Sequence, residues 1–286
     1  MNKVAVKLIC GGVLFLVAML GAVLSKYASS FSPKIVRVCN AFAGGILLAV
    51  TLVHMLADSS EDLETPGVAV AAFFTGDKNH EAFPLAFSIV GLGFLTILSV
   101  EVFLPGGHDG EHLGIEGDSD SETESETPDL EAAKAPVLPK SCAAGLSALL
   151  GLCLHSLIEG TATGAAQDMS EFSNLFIAII AHKMFAVFSA GTLILDSVSV
   201  RAWWTLMTIL CAMTPVGIAI GMIVQSRVHG AWAAGIDCFA AGTLLCVAVY
   251  DMLMPSLVIG KGEWKRRSFI AALFGFCSMS LLAIWS

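Results

Sequence analysis

Three ionisable side chains, His155, Glu159 and His182, lie within two long apolar segments of the chain. His155 and Glu159 are four residues apart, so on an α-helix they share one face, about 40° apart around the axis and one turn apart along it. A charged side chain at the centre of a membrane helix costs roughly 2.5–3.5 kcal/mol on insertion scales unless something pairs it. We therefore expect the three side chains to be partners. Two imidazoles and one carboxylate suit Zn²⁺, Fe²⁺ or Mn²⁺ better than Ca²⁺ or Mg²⁺.

Lys183 directly follows His182 and lies near the middle of the same apolar segment. A lysine near a helix end can extend its side chain to the membrane surface, but Lys183 is too deep for this. We expect its ammonium to pair with Glu159, because opposite charges that lie close together stabilise each other's charged forms.

Small residues recur near both histidines. Ser156, Gly160 and Gly164 are four residues apart, a pattern that lets another helix approach closely. The segment that carries His182 has a run of small residues at 189–191. The pattern predicts that the two ligand-bearing helices pack tightly against each other.

The composition places these segments in a membrane. Of the 286 residues, 56% are hydrophobic and 14% are charged, and the mean hydropathy is +0.80. A soluble domain is far less apolar, so we predict an all-α polytopic membrane protein. Apolar runs of about 18 residues or more indicate transmembrane helices. Eight such spans form the predicted bundle, at residues 4–25, 36–57, 83–104, 143–166, 172–194, 203–225, 232–254 and 268–285.

The basic residues predict how the chain is oriented. Lys3 and Lys7 precede the first apolar run, as in a signal peptide, but the run from Leu8 to Leu24 is longer than the usual 7–15 residues, so we treat it as a span. Lys and Arg are concentrated in the loops after spans 1, 3, 5 and 7. The positive-inside rule places these loops in the cytosol and both termini on the extracytoplasmic side.

The chain divides into three parts. Residues 1–104 form transmembrane helices 1–3, and residues 143–286 form helices 4–8 with the metal site. The stretch 105–142 contains an acidic run from Asp118 to Glu126 and few apolar residues, so we predict a disordered acidic loop in the cytosol. The net charge of −9 favours cations rather than nucleic acid as partners.

Other polar residues are candidates for the ion pathway or the surroundings of the metal. His54 and Asp58, near the outer end of span 2, repeat the four-residue spacing of the central pair. A structural interpretation explains them equally well: His54 would make an interhelical hydrogen bond, and Asp58 would begin a solvated loop. Asp251, toward the cytosolic end of span 7, lines an ion path or lies at a helix interface. Ser156 and Lys183 complete this group.

The pattern His-Ser-x-x-Glu-Gly in span 4, followed by His-Lys in span 5, resembles the ZIP (Zrt/Irt-like protein) family of divalent metal transporters. The resemblance covers nearly the whole chain, with eight spans, outward termini and a variable cytosolic loop between spans 3 and 4. The stretch from Ala41 to Gly45 with His54, and the run from Pro215 to Gly221 in span 6, are weaker matches.

This resemblance implies transport of a divalent metal ion toward the cytosol, with zinc the first candidate, iron and manganese the others, and no enzymatic activity. Carried over by position, His155, Glu159 and His182 would be the primary ligands of the transported ion, which is a substrate; no cofactor is expected. The lipid bilayer is the other expected partner, and a homodimer is left open. The expected location is the plasma membrane, with an organelle membrane as the alternative.

The chain departs from the family pattern in two ways. Some members hold two adjacent metals with carboxylate or amide side chains where this chain has Ser156, Lys183 and Thr214. A single metal is therefore implied here, with the Lys183 ammonium in place of the second cation. Many members also have a carboxylate where this chain has Ala186. The fourth ligand is then undetermined, with water a candidate.

Two other classes of protein could use the same residues. A membrane-embedded zinc hydrolase could combine the three ligands with an open fourth position. However, the chain has no His-Glu-x-x-His motif and no obvious base beside the three ligands. The outer loop after span 2 is acidic, with Glu61, Asp62, Glu64, Asp77 and Glu81. A receptor or adaptor with a structural metal would need neither this acidic loop nor Pro215 within a span. Transport is the favoured interpretation.

Overall fold

The structure is a computed structural model that describes residues 2–77, 81–103, 142–224, 230–258 and 262–284. These residues form helices and short connections, with no β-strand among them. The helices are α1 (Lys3–Tyr27), α2 (Pro33–Asp62), α3 (Glu64–Thr75), α4 (Leu85–Phe103), α5 (Cys142–Ala165), α6 (Met169–Ile194), α7 (Val200–Val224), α8 (Ala231–Val258) and α9 (Glu263–Leu282). The predicted acidic loop at 105–142 falls almost entirely outside the described residues.

Six of the described helices are long and apolar enough to cross a membrane: α1, α2, α5, α6, α7 and α8. The described residues therefore confirm the predicted all-helical fold and agree with a polytopic membrane protein. The spans predicted at 83–104 and 268–285 correspond to α4 and α9. In α4 the apolar stretch is shorter, Leu85–Val100, and α9 begins with four charged residues among its first five.

Helix α3 was not predicted, because its region was assigned to the outer loop after span 2. It begins at Glu64 directly after α2, and it ends where Gly76 adopts a left-handed conformation (φ 73°), a common helix stop. Its twelve residues are too few to cross a bilayer. Phe73 and Phe74 near its end are 82% and 81% exposed.

The helices pack as four side-by-side pairs: α5 with α7, α2 with α9, α4 with α8, and α1 with α6. Contacts link α1, α5, α6 and α7 into one group, and α2, α4, α8 and α9 into another. The groups meet mainly where α5 contacts α8 and where α2 contacts α6. The candidate ligands of spans 4 and 5 therefore lie in the first group.

The most extensive helix contact joins α5 to α7. A Cβ atom on Gly160 would overlap the Thr214 carbonyl oxygen, and one on Gly217 would overlap the Leu157 carbonyl oxygen. Gly160 and Gly164 therefore pack against α7, which has glycines at matching positions, and not against α6. Helices α5 and α6 nevertheless contact each other, as expected, and bring the candidate ligands together. The small residues near the end of α6 contact α1 and α2.

Two of the long helices contain a π-helical stretch, Val50–Met55 in α2 and Val247–Leu253 in α8. Such bulges interrupt the regular hydrogen bonding of a helix and occur frequently at functional sites. The first contains His54 and the second contains Asp251.

The contact between α5 and α7 predicts the effect of one added methyl group. We expect Gly217→Ala to lower stability by about 1–3 kcal/mol, the usual cost of overpacking, since the Leu157 carbonyl must move. Gly12→Ala in α1 is the matched control, because no atom lies within 4 Å of the added Cβ. Thermal unfolding of the detergent-solubilised protein, followed by circular dichroism, measures both. Equal melting temperatures for the two variants would contradict the close approach.

Candidate metal centre

Helices α5 and α6 form a hairpin joined by a turn at residues 166–168, and this hairpin carries His155, Glu159 and His182. One potential ligand atom from each side chain lies within 4.8 Å of the other two. The His182 Nε2 atom is 3.1 Å from Glu159 Oε1, and the His155 Nε2 atom is 3.7 Å from Glu159 Oε2. The structure thus brings together the three side chains that spacing and burial had singled out.

Burial separates these three side chains from water. The side chains of His155 and His182 are 3% and 2% exposed, and that of Glu159 is 13% exposed. Neither ring nitrogen of His155 has a hydrogen-bond partner, and Glu159 Oε2 also lacks one. A buried polar atom without a partner costs about 1–3 kcal/mol, so such atoms call for an explanation. A metal ion between them would take up the lone pair of one His155 ring nitrogen and a lone pair of Glu159 Oε2.

The ring of His182 is held in place from its other side. Its Nδ1 atom lies 2.8 Å from the Ala178 carbonyl oxygen one turn earlier, a distance at which an Nδ1–H donates a hydrogen bond. This leaves Nε2 as the lone-pair nitrogen directed toward Glu159. Metal-binding histidines usually donate their second ring nitrogen in this way, because the hydrogen bond fixes the ring orientation.

Lys183 lies beside the same three side chains. Its Nζ atom donates a hydrogen bond to Ser156 Oγ at 2.6 Å and is 4.0 Å from Glu159 Oε2. The side chain is 2% exposed. The ammonium is therefore next to the carboxylate, as its depth in the apolar segment led us to expect.

A narrow cleft lies beside the two histidines, between α5, α6 and α7. It leaves no room for a water molecule. Its lining is Leu152, His155, Ser156, His182, Lys183, Ala186, Val187 and Leu210. Ala186, where a carboxylate stands in many members of the family that the sequence resembles, thus lies at the wall of this cleft and offers no ligand atom.

Polar residues continue from the metal centre toward the other end of the bundle. His54 Nδ1 lies 3.2 Å from Asp58 Oδ2, with the aspartate 69% exposed. Ser59 Oγ donates a hydrogen bond to Asp237 Oδ2 at 2.9 Å across the contact between α2 and α8. Asp237 is close enough to interact electrostatically with both Asp58 and Glu159.

The sequence analysis selected Asp251 as the candidate carboxylate of span 7, and it selected neither Ser59 nor Asp237. The signal for Asp237 was only a carboxylate in an apolar span, which Asp251 shares. Asp251 is buried, with 6% exposure, within the π-helical stretch of α8. It does not belong to the ligand group found among the described residues.

Comparison with known proteins gives matches along nearly the whole chain. The family described as "ZIP Zinc transporter" matches residues 4–283. Zinc transporter ZIP2 of Mus musculus is 28% identical, over 91% of this chain and 88% of its own length. Zinc transporter 11 of Arabidopsis thaliana is 26% identical, over 99% and 86%. Zinc transporter 3 of the same plant is 27% identical, over 95% and 81%.

The geometry predicts which side chains bind a metal ion. We expect alanine at His155, Glu159 or His182 to weaken Zn²⁺ binding by about 100-fold or more, since loss of a direct ligand should exceed the 10–100-fold effect of its supporting partners. Thr161→Val in α5 is the control, because the Thr161 hydroxyl bonds only the Leu157 carbonyl in the described structure. Isothermal titration of purified protein measures the affinities. Unchanged affinity in all three alanine variants would remove the site.

Proposed function

Because the chain belongs to the ZIP zinc transporter family, we propose that it carries Zn²⁺ across a membrane, toward the cytosol, with His155, Glu159 and His182 as the ligands of the transported ion. The observation that carries this proposal is the buried group of two imidazoles and one carboxylate on the α5–α6 hairpin. Its unpartnered ring nitrogens and carboxylate oxygen are the atoms that a borderline metal ion prefers.

The proposed pathway leads from the exposed carboxylate of Asp58 past His54 and Asp237 to Glu159. Negative side chains at an opening raise the local concentration of cations. Beyond the metal centre, the apolar cleft around Val187 and Leu210 supports a site that is closed on the opposite side in this conformation. Release would then require the helices around the cleft to separate.

The proposed site holds one ion. Lys183 occupies the space beside Glu159 and Ser156 with its own positive charge. A second divalent ion there would face electrostatic repulsion and would find a hydroxyl in place of a carboxylate. The same repulsion weakens the binding of the first ion, which favours its release.

Several finer features stay predictions. They are eight spans with both termini outside, the three-part division at 104 and 142, the plasma membrane, a homodimer, and the carriage of iron or manganese. A zinc hydrolase is less well supported, since the family to which the chain belongs consists of transporters.

Uptake of radiolabelled zinc into proteoliposomes tests the proposal. We expect zinc to enter vesicles that contain the unmodified protein, and not those that contain the Glu159→Ala variant, because Glu159 bridges both histidines. Thr161→Val again serves as the control for folding and insertion. Zinc binding without any uptake would favour a structural or catalytic metal and would overturn transport.

Lys183 supplies the sharpest test of the single-ion site. We expect Lys183→Gln to tighten zinc binding by about tenfold, equivalent to about 1.4 kcal/mol, because repulsion between the ammonium and the ion is lost. Lys183→Glu should tighten it further and admit a second ion. Maximal uptake should fall in both variants, since tighter binding slows release. Isothermal titration gives affinity and stoichiometry, and uptake kinetics give the maximal rate.

Ser156→Ala is the matched control for this series. It removes the hydrogen bond to Lys183 and keeps the charge, so its effect on zinc affinity should be much smaller than that of Lys183→Gln. One bound ion with unchanged affinity and normal uptake in Lys183→Glu would show that Lys183 has only a structural role.

A further inference from the structure

Lys7 is a second lysine buried among apolar helices, and the transport site does not use it. It lies in α1 and is 5% exposed. Its Nζ atom donates hydrogen bonds to the carbonyl oxygens of Gly164, at 2.8 Å, and Ala166, at 2.6 Å. These carbonyls lie at the C-terminal end of α5, where backbone oxygens lack partners within the helix and the helix dipole is negative. The ammonium donates hydrogen bonds to these oxygens, and its positive charge is favourable at the negative end of the dipole.

The same ammonium contacts the next helix. It lies 5.7 Å from the ring centroid of Phe172, in the first turn of α6. A cation above an aromatic face is attracted to it, and Phe172 is itself 2% exposed. One side chain from α1 therefore holds both ends of the turn that joins the two ligand-bearing helices.

Helix α1 continues along α6 past the metal centre. Leu14 packs with Ile179 of α6 and Ile218 of α7. Further on, Gly21 lies so close to the carbonyl of Met184 that a Cβ atom would overlap it. Met184 is two residues after His182, so α1 contacts α6 on both sides of this ligand along the helix.

We propose that Lys7 is a positioning residue for the metal centre. By binding the end of α5 and the start of α6, its ammonium fixes the offset between the two helices, and this offset sets the distance from His182 to His155 and Glu159. The inference rests on the proposed transport site. It predicts that loss of the ammonium impairs zinc affinity even when the protein is folded and inserted.

The test compares four variants by zinc titration and by the concentration dependence of uptake. Lys7→Met keeps the length of the side chain and removes its charge, whereas Lys7→Arg keeps charge and donors. Lys7→Gln keeps a donor without charge. Lys3→Met is the control, because Lys3 is exposed and its Nζ atom only approaches the Gln167 carbonyl at 3.5 Å, by the same turn.

We expect Lys7→Met to raise both the zinc Kd and the KM for uptake by about fivefold or more, the lower range of coupling between separate sites. Lys7→Arg and Lys3→Met should stay near the values of the unmodified protein, and Lys7→Gln should fall between. If Lys7→Met lowers only the amount of folded protein, or the maximal rate at unchanged KM, the positioning role is overturned.

Should Lys7→Met fail to fold, the comparison of Lys7→Gln with Lys7→Arg decides. A higher KM for the glutamine variant supports the proposal, and equal KM values overturn it. Absence of zinc binding in the unmodified protein would instead overturn the proposed function, and this inference with it.

Discussion

The cost of burying an ionisable side chain among apolar helices constrains this molecule more than any other interaction. Each such group must find a partner within the bundle, because hydrocarbon offers none. Glu159 meets this requirement by lying among His155, His182 and Lys183. The four side chains compensate one another's burial cost, and removing any one leaves another without a polar partner.

The geometry of the candidate metal centre also depends on residues that do not contact its three side chains. Gly160 follows Glu159 by one position, so it projects from α5 about 100° away from the carboxylate. That second face lies against α7, with backbone against backbone at Gly160 and Gly217. Because the approach leaves no space for side chains, it fixes the distance between α5 and α7. The carboxylate face is then free to meet α6.

Local spacing was enough to predict that His155 and Glu159 form a pair. The cost of burying an ionisable side chain was enough to predict that His182 and Lys183 lie beside them. Helix boundaries followed from apolar runs to within a few residues, except at α3, which is apolar but too short to cross a bilayer. The sequence did not reveal which helices would pair. The small residues at 156, 160 and 164 indicate that another helix approaches closely. They do not indicate which helix it is, since several helices carry suitable glycines.

The polar contact between Ser59 and Asp237 was not predicted for the same reason, since it depends on which helices pack together. Ser59 and Asp237 are separated by 178 residues, and their hydrogen bond depends on how α2 packs against α8. Nothing in the sequence around Asp237 distinguishes it from Asp251. Contacts of this kind are set by tertiary packing, which local periodicity does not encode, whereas the pair of His155 and Glu159 is set by a single helix.

A site that must release its ion differs physically from one that stabilises a fold. Structural zinc sites use four protein ligands and close the coordination shell, usually with thiolates that neutralise the metal charge. The proposed centre offers three donors and a single carboxylate, with Ala186 in place of a further ligand. The Lys183 ammonium, 4.0 Å from Glu159 Oε2, offsets part of the carboxylate charge. A divalent ion bound there would keep part of its own charge uncompensated in an apolar surrounding, which favours its release. This imbalance favours passage over storage.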